Sequence, residues 1–94
     1  MSDNMIRKHA FFEGKVQGVF FRANTRDKAR ELGVNGWVKN LSDGRVEAVF
    51  EGPEKKVDQV IEWCKHNQPH ARVDDVTVDV EKSTGEFDRF FVKR

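Results

Sequence analysis

The apolar positions of this chain alternate in some stretches and recur every three to four residues in others. In residues 6–14, Ala10 and Phe12 fall on one side and His9, Phe11 and Glu13 on the other, which predicts a strand. Phe21, Thr25, Ala29 and Leu32 then recur at helical spacing, so residues 21–32 read as a helix that Gly33 stops. Residues 35–41 and 45–51 read as a hairpin around Ser42-Asp43-Gly44. In the second of these strands Val46, Ala48 and Phe50 alternate with Arg45, Glu47 and Glu51. Gly52-Pro53 opens a second helix, with Pro53 at its first position. There Val57, Val60, Ile61 and Cys64 form a core-facing stripe, and Pro69 bounds the helix. Val76, Val78 and Val80 mark a fourth strand, and Phe90 and Val92 a fifth.

The resulting order is β-α-β-β-α-β with a closing strand. It predicts an α+β fold, a split βαβ sandwich whose antiparallel sheet of four to five strands carries two helices on one face. The first and second strands are expected to pair with other strands rather than with each other. Residues 1–94 are expected to form a single domain, frayed over residues 1–5.

Composition narrows the function classes. The chain has 17 basic and 16 acidic residues, a net charge of +1, so attraction for an anion has to be local. The single cysteine, Cys64, cannot close an internal disulfide and fits a reducing, cytoplasmic setting. No apolar run reaches membrane length, so no membrane partner is expected.

Local attraction points to the stretch between Gly14 and Arg22. It contains no proline from Lys15 to Arg22, so every main-chain amide there can donate. Gly18 permits the positive φ that turns successive amides toward one anion. A helix beginning near Phe20 or Phe21 adds the positive end of its dipole, and Arg22 adds a planar fork for two phosphate oxygens. The candidate phosphate-binding residues are therefore Lys15, Val16, Gln17, Gly18, Val19, Phe20, Phe21 and Arg22. The Phe20-Phe21 pair is expected to wedge the loop against the core. The loop matches neither of the common nucleotide-binding glycine patterns, and ordinary turn chemistry is the competing reading of its glycines.

The loop from Gly14 to Arg22, followed by Gly36-Trp37-Val38-Lys39-Asn40 and Gly44-Arg45-Val46-Glu47, closely resembles the acylphosphatase family. The similarity continues through Ile61-Glu62-Trp63-Cys64, Ala71-Arg72-Val73 and the closing Phe90-Phe91-Val92-Lys93-Arg94. The resemblance implies a ferredoxin-like sandwich that hydrolyses the carboxyl–phosphate bond of acyl phosphates without a metal or other cofactor. It implies two catalytic residues, Arg22 to hold the phosphate and Asn40 to position the attacking water. The implied partners are a small acyl phosphate and inorganic phosphate, with no nucleic acid, and a monomer is the simplest expectation. Lys15 stands where the family often has arginine, Phe20 where glycine is also common, and Asn67-Gln68-Pro69 where Gly-Pro is more usual.

The residues by themselves leave other readings open. Asn40 beside Leu41 and Ser42 could serve only the hairpin. Cys64 on an apolar stripe reads as core rather than nucleophile. Cys64, His66 and His70 match no strong metal spacing, and no metal site is expected. His9 reads as a surface strand residue, Trp37 and Trp63 as margin packing, and Asp74-Asp75 as a solvated turn before the fourth strand. A noncatalytic phosphate or carbamoyl phosphate module on the same fold is one alternative function. RNA binding is another, opposed by a third strand expected to expose Arg45, Glu47, Val49 and Glu51.

Overall fold

The computed structural model describes residues 4–94. Its elements are β1 (Met5–Lys15), α1 (Phe21–Glu31), β2 (Asn35–Asn40), β3 (Val46–Pro53), α2 (Glu54–His66), β4 (Arg72–Glu81) and β5 (Phe90–Val92). Of the five residues expected to fray, 1–3 lie outside the described residues. Met5 already pairs with Pro53, and the Glu54 amide donates to the Asn4 carbonyl at 3.0 Å.

The five strands lie in the order β4-β1-β3-β2-β5. β3 separates β1 from β2 and pairs antiparallel with both, and β4 pairs antiparallel with β1. The expected split βαβ sandwich is thus present. β5 runs parallel to β2, with Trp37 opposite Phe91, so the sheet is mixed rather than wholly antiparallel. The reason is the connection after β4. It carries the chain from one edge of the sheet to the other, and it delivers β5 in the same direction as β2.

Alternation decides which sheet face is buried. Ala10, Phe12, Val38, Val46, Ala48 and Phe50 are fully buried against the helices. α1 contributes Phe21 and Ala29, and α2 contributes its whole stripe of Val57, Val60, Ile61 and Cys64. Pro53 takes the N-cap of α2, not its first turn, because its ψ of 134° still belongs to the strand it ends. The Asp74-Asp75 pair lies inside β4, where Asp75 stands opposite Glu13, not in a preceding turn.

The opposite sheet face is covered more than its sequence suggests. Val49 and Glu51 of β3 are buried, not exposed. The connection after β4 folds over Glu51. Glu51 accepts from the Gly85 amide at 2.6 Å, Ser83 Oγ at 3.2 Å, the Thr84 amide at 3.4 Å and Arg7 Nε at 3.0 Å. His9, half-buried on the same face, sits between Glu47 and Glu81 and stacks on Phe11.

Candidate active site

β1, β2 and β5 all point the same way, so their C-terminal ends gather at one end of the sheet beside the start of α1. The chain leaves β1 through an irregularity in the β1–β4 register between Glu13 and Gly14. Gly14 adopts φ 128° there, and a Cβ on it would stand 2.3 Å from the Arg72 carbonyl oxygen. Gly18 adopts φ 75° in open space, the conformation that reverses the loop toward α1.

Three buried apolar side chains, Val16, Val19 and Phe21, hold this loop on the core. Gln17 ties it to the β2–β3 hairpin, donating from Nε2 to the Leu41 carbonyl at 2.8 Å and the Arg45 carbonyl at 2.9 Å. Only Phe21 of the expected Phe20-Phe21 wedge packs inward. Phe20 is 78% exposed and sits at the N-cap of α1 with φ 62°. That left-handed conformation costs a non-glycine residue roughly 1–3 kcal/mol.

The start of α1 is electrostatically open. It has no side-chain cap and no acidic residue in its first turn. Asn24 donates to the Phe20 carbonyl at 3.0 Å, whereas amides 17–23 donate in none of the turn, loop and cap main-chain hydrogen bonds among the described residues. Free amides and an unneutralised helix dipole therefore coincide at this end of the sheet.

They border a cavity of about 700 Å³. The loop lines it with Val16, Gly18, Phe20 and Phe21, and α1 with Arg22, Ala23 and Arg26. Asn40, the last residue of β2, and Val92 and Arg94 from the end of β5 complete it. Lys15, Gln17 and Val19 do not line the cavity: Lys15 is exposed at the end of β1, Gln17 is engaged with the hairpin, and Val19 is buried. Arg22 and Asn40, 18 positions apart in sequence, stand on one cavity. Asn40 Oδ1 is buried and has no hydrogen-bond partner among the described residues. A buried acceptor left in that state costs roughly 1–3 kcal/mol.

A polar cluster supports α1 from behind. Gln68 Nε2 donates to Thr25 Oγ1 at 2.7 Å and to the Phe21 carbonyl at 3.2 Å. Thr25 Oγ1 also meets Cys64 Sγ at 3.4 Å. Burial pushes the Cys64 thiol up to about 11, so it stays protonated and inert. Sequence reasoning missed Gln68, Arg26 and Arg94. Arg26 carried a signal, since it lies four residues after Arg22 and so on the same helix face. Arg94 carried none, because the parallel placement of β5 brings it to the cavity.

Known proteins resemble this chain in sequence and in fold. The family model described as Acylphosphatase matches residues 8–92. The chain is 57% identical over 94 residues to an acylphosphatase of Haloquadratum walsbyi, covering 100% of both sequences. The structure of acylphosphatase from Bacillus subtilis superposes with TM-score 0.90 at 35% identity, covering 95% of this chain and 99% of that one. An acylphosphatase from Coxiella burnetii superposes with TM-score 0.88 at 40% identity, covering 96% of this chain and 94% of that one. The chain belongs to the acylphosphatase family, hydrolases that act on acid anhydrides.

Proposed function

We propose that this chain hydrolyses acyl phosphates, with the phosphate held by the loop amides and Arg22 and the attacking water oriented by Asn40. The observation that carries this reading is the buried, unpartnered Asn40 Oδ1 on the same cavity as Arg22. An anion pocket alone has no use for a buried acceptor, which repels the phosphate oxygens. A water molecule satisfies it by donating one proton, and that bond fixes where the water oxygen points.

The chemistry needs little more. The water oxygen forms a new bond to phosphorus while the bond from phosphorus to the acyl oxygen breaks. The bonding pair leaves on the carboxylate, and both water protons end on phosphate oxygens. The leaving carboxylate has a pKa near that of Glu, about 4.3, so no strong general acid is required. Asn40 does not titrate and orients rather than deprotonates. Charge stabilisation falls to the cradle. A hydrogen bond to a charged group contributes roughly 1.5–3 kcal/mol, against roughly 0.3–1 kcal/mol for an exposed helix terminus. Arg22 can make two such bonds and outweighs any single amide. The Arg22 guanidinium and the amide dipoles supply the positive charge that a metal would otherwise bring, and every group stands on one chain, so a metal-free monomer suffices.

Phosphate release from benzoyl phosphate or acetyl phosphate, in the presence of a chelator, tests the proposal. Arg22→Ala is expected to lose on the order of 10²–10³ in rate. Asn40→Ala is expected to lose turnover far more than affinity for inorganic phosphate. Near-normal hydrolysis by Arg22→Ala removes that residue from the mechanism. Equal losses of turnover and phosphate affinity in Asn40→Ala reassign Asn40 to substrate holding.

A further inference from the structure

We infer that the cavity selects acyl phosphates whose acyl group carries a second anion, and that Arg26 and Arg94 are the residues that select it; this rests on the reading of the phosphate cradle given above. The cavity, at about 700 Å³, is far larger than one phosphate requires and lies in the range of whole-ligand pockets. Beyond the cradle its lining is cationic. The side chains of Arg26 and Arg94 join that of Arg22, and among the described residues no Asp or Glu lines the space.

Arg26 stands four residues beyond Arg22, a rise of about 6 Å, on the same face. It is therefore displaced from the free amides that hold the phosphate. Its Nε donates to Asp27 at 3.1 Å on its own helix, and its two terminal NH₂ groups have no protein partner among the described residues. Arg94 approaches from the sheet side. The amide of the preceding residue, Lys93, donates to the Val38 carbonyl at 2.8 Å, two positions before Asn40, and this tether sets Arg94 at the cavity. A carboxylate or phosphate on the far end of the acyl chain would pair with these planar cations, while a neutral chain would leave them facing apolar atoms. Between the two charged ends, Phe20, Ala23 and Val92 offer an apolar wall for a short carbon chain. The exposed Phe20, held in a left-handed conformation at the lip, fits that use.

Succinyl phosphate and butyryl phosphate test this directly, since they differ at the far end by a carboxylate against a methyl. The wild-type chain is expected to show kcat/KM for succinyl phosphate at least about tenfold above that for butyryl phosphate, with the ratio falling as salt rises. Arg26→Gln and Arg94→Gln are each expected to cut that ratio by about fivefold or more, with inhibition by inorganic phosphate changed about twofold or less. Arg26→Lys, which keeps the charge, is expected to retain most of the preference and guards against a folding artefact. Equal rates on the two substrates in the wild type overturn the inference while leaving the cradle reading intact. So do parallel losses on both substrates together with weaker phosphate inhibition, which would assign Arg26 and Arg94 to the phosphate itself. Hydrolysis of neither substrate overturns the cradle reading and the inference with it.

Discussion

The two glycines of the loop serve different ends, and their substitutions separate. Gly18 has open space around its Cα, so alanine there meets only the left-handed backbone cost of roughly 1–2 kcal/mol, partly offset by a stiffer unfolded chain. At Gly14 an added Cβ would also stand 2.3 Å from the Arg72 carbonyl oxygen, so the β1–β4 backbone must shift. Urea unfolding is expected to show Gly14→Ala as the more damaging variant, and the reverse order contradicts the role given to that bulge. Single residues divide clearly into those legible in sequence and those not. Arg22 and the amide run are readable because chemistry and spacing sit together within nine residues. Asn40 needed the family resemblance, since an asparagine beside a hairpin has an ordinary use. Phe20 was misjudged because its apolar character predicts burial, while its place at the α1 N-cap puts it at the surface.

At the scale of elements, the proposed cradle requires the loop and the β2–β3 hairpin to keep a fixed distance. Gln17 supplies that link through two bonds to main-chain carbonyls, without lining the cavity. Gln17→Ala is expected to lower kcat by about tenfold or more while KM changes less and far-ultraviolet circular dichroism stays unchanged. An unaltered kcat would show that the loop holds its shape without the hairpin. Periodicity located every element. The Val57, Val60, Ile61 and Cys64 stripe was readable because α2 packs one face on a sheet. The direction of β5 was not readable, because three residues carry no orientation signal and the answer lies in where the preceding connection crosses. The same crossing hid Arg94.

Across the whole molecule, residues 82–89 strap the open face of the sheet through Glu51. Burial alone would raise this carboxyl, yet the Gly85 and Thr84 amides, the Ser83 hydroxyl and Arg7 together hold it below the usual range. Arg7 also bonds Glu86, so the strap is fastened at both partners. A carboxyl depressed in the folded state stabilises fully above its unfolded pKa of about 4.3, and that stability is lost as pH falls through the lower folded value. Urea midpoints are therefore expected to decline in the wild type as pH drops below about 4.3. Glu51→Gln is expected to be less stable at neutral pH and to show a shallower decline. Parallel acid limbs in the two proteins would remove Glu51 as the fastening. This cover was not legible in the alternating pattern, since a glutamate on the outer side of a strand reads as solvated until a distant loop is found upon it. The site at the other end of the sheet depends on the same architecture, which sends three strands and one helix start to a single cavity. There, main-chain amides and one guanidinium are proposed to enclose the phosphate. Titration of the isotope-labelled protein with inorganic phosphate, read by amide chemical shifts, tests that enclosure. Saturable shifts are expected, concentrated in residues 16–23 and in the Arg22 side chain, retained in Asn40→Ala and lost in Arg22→Ala. Shifts centred elsewhere on the sheet, with those amides unmoved, would contradict it.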